Sequence, residues 1–422
     1  SSAASDVYKR QNAEDAAYLF EGLSIWDAGG GRYREYQGAY PVIYISFNPV
    51  KKQRWEDAKS ALRQLIVWEY IRHGYLSDSS ELNEQERAYF DRVAGWKATD
   101  GDIESSLINL TRLLFKHHGR RTVVLIDEYD APVMAARDNG YYDEMVSFLK
   151  GWLTAALKDG GQALAFACLT GVQRISKESV FSDLNNLVVN TSLNTKYDER
   201  YGFTEDEVRA LANYLGQAAH FPEMRQWYDG YRFGKTEIFN PWSVVNYFSN
   251  ECEPRPFWVS TGSNDIIGEV LAQADEEIYK RLTSLVNGET FTTFIDTGVI
   301  YPQIKSNPST IYSFLLVTGY LKALKTTPSF SGDFMCEVSL PNREISLVYN
   351  KEILQRLENL IPPSTAISVQ EAIFSGDNAR LKAQIQTLLT QSVSSFDTAG
   401  ENFYHGFMLG PVSYTHLRAH ET

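Results

Sequence analysis

Thr122–Asp130 reads T-V-V-L-I-D-E-Y-D, a run of four apolar residues from Val123 to Ile126 ended abruptly by acids. A short saturated run of that kind predicts a strand buried on both faces of a parallel sheet. Tyr40–Phe47 (Y-P-V-I-Y-I-S-F) predicts a second strand, and Ala163–Leu169 a third buried one, ended by Thr170-Gly171.

Helical spacing fills the gaps between these strands. Over Gln53–His73, Trp55, Ala58, Leu62, Leu65 and Ile66 recur on one face, with Gly74 placed to end the helix. Leu82–Val93 and Ile103–His118 predict two more helices, the second ending at Gly119. Tyr141–Leu157 predicts another, with Met145, Phe148, Leu149 and Trp152 inward. Strands alternating with helices imply a parallel α/β sheet. Further on, Thr204–Leu215 carries a capping box from Thr204 to Glu207, and Asn240-Pro241 caps a helix over Trp242–Phe248. Helical patterns also cover Asp265–Asn287, Ile311–Ala323, Leu347–Leu357 and Asn378–Leu389, with one strand at Met335–Leu340. Trp227, Tyr228, Tyr231 and Phe233 form an aromatic group. Core packing explains it more simply than a nucleic-acid platform.

The acids ending the central strand change the picture. Asp127 and Glu128 lie at a strand's carboxyl end, where open α/β sheets place ligands. In a P-loop nucleotidase this is the Walker B position. Asp127 would hold Mg²⁺, usually through water, and Glu128 would orient the water that attacks the γ-phosphate of ATP. The plainer reading is a strand exit whose acids mark a turn. Thr170, at the tip of the next strand, occupies the place of a γ-phosphate sensor. Arg174 follows in the loop G-V-Q-R-I-S-K-E-S, as a phosphate contact or as an ordinary surface arginine. Asp127, Glu128 and Asp130 could instead hold a metal for a hydrolysis unrelated to ATP.

The phosphate loop that should accompany these acids is missing. The nearest match to G-x-x-x-x-G-K-[ST] is Asp229-Gly230-Tyr231-Arg232-Phe233-Gly234-Lys235-Thr236. It has Asp229 at the first glycine position, follows no strand, and runs into Pro241 rather than into a helix. Gly29-Gly30-Gly31 lacks the Lys-Ser/Thr and the helix that a phosphate loop needs.

Charge and cysteines narrow the classes. With 53 acidic and 40 basic residues among 422, the net charge of −13 excludes general nucleic-acid binding by overall field. Cys168, Cys252 and Cys336 stand far apart with no metal or redox spacing, which suits a reducing cytoplasm. His117-His118 lacks a third ligand at metal spacing. No apolar run is long enough to span a membrane. Residues 1–11 (SSAASDVYKRQ) match the in-frame translation of a transposase sequencing adapter, and 412–422 (VSYTHLRAHET) look like its counterpart. Both are read as artefact, and the natural sequence as cut at each end.

Taken together, the chain resembles the prokaryotic AAA-ATPase-like proteins that carry a C-terminal PD-(D/E)XK nuclease-like domain. The resemblance rests on YPVIYISF (40–47), VVLIDEYDAPV (123–133), TGVQRISKESVFSDLNNL (170–187), YGFTEDEV (201–208), WYDGYRFG (227–234) and FNPWSVVNYF (239–248). FWVSTGSND (257–265), LLVTGYLK (315–322), LPNREI (340–345) and YHGFMLG (404–410) continue it in order. It implies a P-loop NTPase-like parallel sheet with helices, its first strand and Walker A loop missing upstream of LFEGLSIW (19–26). A mostly helical lid or winged-helix-like region would follow. The expected divisions are a truncated ATPase core over 12–200, a lid over 201–300, and a small α+β or helical linker domain over 301–398. The start of a truncated nuclease-like domain falls at 399–411. The resemblance also implies ATP and Mg²⁺ as cofactors. Nucleic acid would be reached through the missing C-terminal domain, and self-assembly remains open. The rival reading is a nucleotide-dependent switch or interaction module without appreciable turnover.

Overall fold

In a computed structural model the described residues are 17–172, 180, 181, 184, 187–258, 276–296, 308–329, 334–360, 368, 371, 372 and 375–384. The chain divides into two compact units, one formed by residues 1–189 with 297–301 and the other by 190–296 with 302–422.

In the first unit, residues 17–40 form short turns around α1 (Ser24–Asp27). Gly29, Gly30 and Gly31 all take left-handed backbone, with φ of 60°, 72° and 81°. That lets the chain fold back so that Arg34 pairs with Asp27 at 2.6 Å. The glycine triplet is thus a self-contained bend.

β1 (Val42–Ser46) leads into α2 (Trp55–Arg72), α3 (Glu84–Ala94), α4 (Asp100–Glu104) and α5 (Ser106–His118). β2 (Thr122–Asp127) follows, then α6 (Ala131–Asp138), α7 (Tyr142–Leu157) and β3 (Leu164–Leu169). The three strands form one parallel sheet in the order β1-β2-β3. The parallel α/β expectation therefore holds for this unit.

Several details differ from the sequence reading. β2 is not buried on both faces: Thr122, Val124 and Ile126 are buried while Val123, Leu125 and Asp127 are half-buried. In register with β1, Ile43 beside Val124 and Ile45 beside Ile126 make the fully buried face. Each such side chain contributes about 2 kcal/mol relative to exposure. β3 is not buried either; Ala165, Phe166 and Cys168 are exposed. The segment expected as one helix from Ile103 to His118 is two, α4 and α5, joined at Ser105. Gly119 ends α5 in left-handed backbone at φ 63°, as expected, whereas Gly74 opens a 3₁₀ turn instead of a left-handed cap. α6 was not anticipated.

The two edges of the sheet are treated differently. On β1, the Glu69 carboxylate of α2 accepts from the Tyr44 backbone N–H at 2.9 Å, and Arg72 donates to the Val42 carbonyl at 2.5 Å. Those side chains plug the strand's outward groups. β3 has a strand neighbour on one side only among the described residues.

In the second unit, α8 (Glu205–Tyr214) is followed by α9 (Phe221–Tyr228), β4 (Tyr231–Phe233), β5 (Thr236–Ile238) and α10 (Pro241–Ser249). The capping box of Thr204 with Glu207 and the cap by Asn240 with Pro at the first helical turn are present as expected. α11 (Glu276–Val286), β6 (Phe291–Ile295), α12 (Pro308–Val317), β7 (Lys322–Pro328), β8 (Phe334–Ser339) and α13 (Arg343–Leu360) complete it. β6, β8 and β7 form an antiparallel sheet, and β4 pairs with β5 as a hairpin. The helix expected to continue to Ala323 stops at Val317, and Gly319, at φ 85°, turns the chain toward β7. Trp227 and Tyr228 are buried in the core of this unit, and Tyr231 and Phe233 are half-buried in the hairpin. The expectations for 361–364 and 404–410, and for 265–275 at the start of a long helix, lie outside the described residues.

Candidate functional site

The parallel sheet brings the carboxyl ends of all three strands of the first unit to one side. The Phe47 N–H donates to the Asp127 carbonyl at 2.9 Å, and the Thr170 N–H donates to the Ile126 carbonyl at 2.9 Å. Ladder bonds thus continue just past the strands and fix the tips relative to one another. Asp127 and Thr170 meet directly: the threonine hydroxyl donates to Asp127 Oδ1 at 2.6 Å. The two were 43 residues apart in sequence and were singled out separately.

Immediately after Asp127 the backbone reverses. Glu128 takes φ 52°, a left-handed conformation that costs a non-glycine residue about 1 kcal/mol or more. The Tyr129 N–H then donates to the Thr170 carbonyl at 3.0 Å, so the two tips are cross-braced. Gly171 completes the brace. A β-carbon there would sit 2.5 Å from Asp130 Oδ1 and 2.8 Å from the Tyr129 ring. The position therefore needs glycine for close approach.

Glu128 Oε2 lies 3.4 Å from Lys51 Nζ, which stands in the loop after β1. Both side chains are well exposed, so the pair itself adds little stability. Its interest is positional, since it sets where the Glu128 carboxylate points. Lys51 was not anticipated from sequence. The parallel pairing of β1 with β2 was a usable signal, because it puts the loop after β1 beside the acids.

Asp127, a half-buried carboxylate beside a hydroxyl, is a hard-oxygen donor set. It fits Mg²⁺ of the kind that keeps its waters and takes one or two carboxylates from protein. Among the described residues no group of three His, Cys, Asp or Glu could hold a metal unaided. The Asp127, Glu128 and Asp130 trio accordingly makes no self-sufficient metal centre. Arg174 lies outside the described residues.

The near match to a phosphate loop is excluded by geometry. Gly234 and Lys235 form the turn of the β4–β5 hairpin, where Phe233 pairs with Thr236. The Gly234 N–H donates to the Ser192 carbonyl at 2.7 Å, and the Lys235 N–H to Asp198 Oδ2 at 3.1 Å. Those N–H groups are spent on protein acceptors, so no anion nest exists there. His117 and His118 are also occupied, by the Ser79 hydroxyl at 2.7 Å and the Tyr75 hydroxyl at 2.9 Å.

Residues 2–181 match the model of a family described as predicted AAA-ATPase. This AAA-ATPase-like match spans the whole three-stranded sheet and the Asp127–Glu128 tip. Over 341 residues, 80% of this chain, the sequence is 25% identical to a protein of Azotobacter chroococcum mcd 1 described as an uncharacterized protein in the vnfD 5′ region. The chain spans 58% of that relative's length. No solved structure matches it. No helix among the described residues is long and apolar enough to cross a membrane.

Proposed function

We propose that the first unit is the Walker B half of a Mg²⁺- and ATP-dependent AAA-like ATPase. The observation that carries this reading is the bond between Thr170 and Asp127 across adjacent parallel strand tips, within the region of the family match. In this reading Asp127 holds Mg²⁺ through water, Glu128 orients the attacking water, and Thr170 senses the γ-phosphate. Arg174 follows Thr170 as a phosphate contact. Among the described residues there is no G-x-x-x-x-G-K-[ST] loop between a strand and a helix to cradle the β- and γ-phosphates. We assign that part to a strand and loop upstream of Leu19. The edge of β3 supports this, because it has no strand neighbour among the described residues and so leaves room for one more strand. Beyond the sheet, the reading extends to an intact cytoplasmic protein in which the ATPase, alone or self-assembled, is coupled to a C-terminal nuclease-like domain acting on nucleic acid.

A second reading has its own observation. Lys51 holds Glu128 at 3.4 Å. A glutamate tied in that way would suit a nucleotide-dependent switch with little turnover.

The coding DNA across both ends comes first. A strand, G-x-x-x-x-G-K-[ST] and a helix upstream would complete the site, and an upstream loop without its lysine would make Asp127 and Glu128 relics. In the completed protein, Glu128→Gln should lower ATP turnover about 100-fold or more while sparing ATP binding. Turnover unchanged by that substitution would refute the role given to Glu128. Absent turnover with tight binding would favour the switch.

A further inference from the structure

Four of the stretches that carry the family resemblance meet in the second unit around one carboxyl group. Tyr231 comes from WYDGYRFG, Ser243 from FNPWSVVNYF, Trp258 from FWVSTGSND, and Asn342 and Glu344 from LPNREI. None of them belongs to the strand-tip site. Glu344, in the first turn of α13, is fully buried. One carboxyl oxygen accepts from the Trp258 backbone N–H at 2.7 Å, and the other from the Ser243 hydroxyl of α10 at 2.9 Å. The Trp258 ring stands edge-on to Tyr231, with centroids 6.4 Å apart, and packs on Tyr320 at 5.2 Å. The Tyr231 hydroxyl and Asn342 Nδ2 are buried there without a well-formed hydrogen bond among the described residues.

No cation pairs with this carboxyl among the described residues. Arg343, its chain neighbour, lies over the Trp227 ring at 4.7 Å. The titratable groups facing it are phenols: Tyr228 on α9 and Tyr231 on β4, both pushed up first by burial and then by the Glu344 charge. Beyond them are more acids, Glu223 acting on Tyr228 and Glu352 on Tyr320. Among the described residues a negative charge here has no cation to pair with.

We propose that Glu344 is a proton-operated clasp that fastens the chain at Trp258 to α10 and α13 when protonated and loosens it when ionised. The neutral acid satisfies every partner. Its carbonyl oxygen keeps the Trp258 N–H, and its hydroxyl donates to the Ser243 oxygen, which can accept as readily as donate. The ionised form keeps two acceptor bonds but leaves an unpaired charge in apolar surroundings. Burial pushes the Glu344 carboxyl up to about 7, against the two hydrogen bonds that favour ionisation. The folded value lies above the ordinary one of 4.5. The clasp is therefore fully fastened below pH 4.5 and loses its hold as pH rises through about 7.

Hydrogen–deuterium exchange at the Trp258 amide tests this, after correction for the intrinsic pH dependence of exchange. Between pH 6 and pH 8 the open form should become about tenfold more populated in the unmodified chain. Glu344→Gln, which keeps an acceptor and cannot ionise, should show no such change. Ser243→Ala removes a bond that favours ionisation, so its midpoint should move to higher pH. Flat protection in the unmodified chain, or an undiminished response in Glu344→Gln, overturns the clasp. Should Glu344→Gln not fold, an unmoved midpoint in Ser243→Ala overturns it equally.

Discussion

Asp102 shows how much one side chain of the first unit can organise. It accepts from the Arg92 guanidinium at 2.8 and 3.0 Å, from the Thr99 N–H at 2.8 Å and from the Thr99 hydroxyl at 2.9 Å. Those donors, Arg92 first, hold its carboxyl well below the usual range. A depressed value means stability that is present above the ordinary 3.8 and lost as pH falls below it. Asp102→Asn should therefore cost about 2 kcal/mol at pH 7, and the gap from the unmodified chain should close as urea unfolding is repeated toward pH 2. A gap that stays constant with pH would refute the charge-based account. At this scale the strand-tip residues were legible for a simple reason. Asp127, Glu128 and Thr170 each end a strand, and parallel pairing aligns strand ends. Lys51 and Gly171 were not, because their parts depend on a loop path and a close approach that spacing does not encode.

Among the elements, those with their own punctuation were the ones readable in advance. Thr204 and Glu207 close a capping box on α8, with the Thr204 hydroxyl accepting from the Glu207 N–H at 3.4 Å and the Glu207 carboxylate accepting from the Thr204 N–H at 2.8 Å. Thr204→Ala should cost about 1 kcal/mol, and Thr204→Asp should recover most of it, read by chemical denaturation of the second unit. Equal stability in all three would show that the helix is held by packing alone. α5 ended where Gly119 said it would. By contrast β4, β5 and β6 are three to five residues long, too short for alternation to outweigh the helical patterns around them. β7 was hidden because Leu321 and Ala323 extend the apolar spacing of α12 past Gly319, which breaks the helix. The exposure of β3 was illegible for another reason. Apolar content reports what a strand can bury, and here Phe166 is left exposed by the described residues.

That last point has a consequence for the behaviour of the whole molecule. The sheet of the first unit is blunted on β1 by Glu69 and Arg72, and β3 carries no comparable device among the described residues. Phe166 is 61% exposed on that strand. An unpaired parallel edge beside an exposed phenylalanine is a template for another strand. The net charge of −13 opposes association at long range but is screened beyond about 8 Å at physiological salt. The chain should therefore self-associate at micromolar concentration, more so as salt rises, in sedimentation velocity. Phe166→Lys places a charge on the edge and should return it toward the monomer without loss of helical circular dichroism. An upstream strand supplied in the same chain should do the same by occupying the edge, which ties this prediction to the completed ATPase sheet. Association that persists undiminished in Phe166→Lys would place the sticky surface elsewhere and leave the edge of β3 without a role in it.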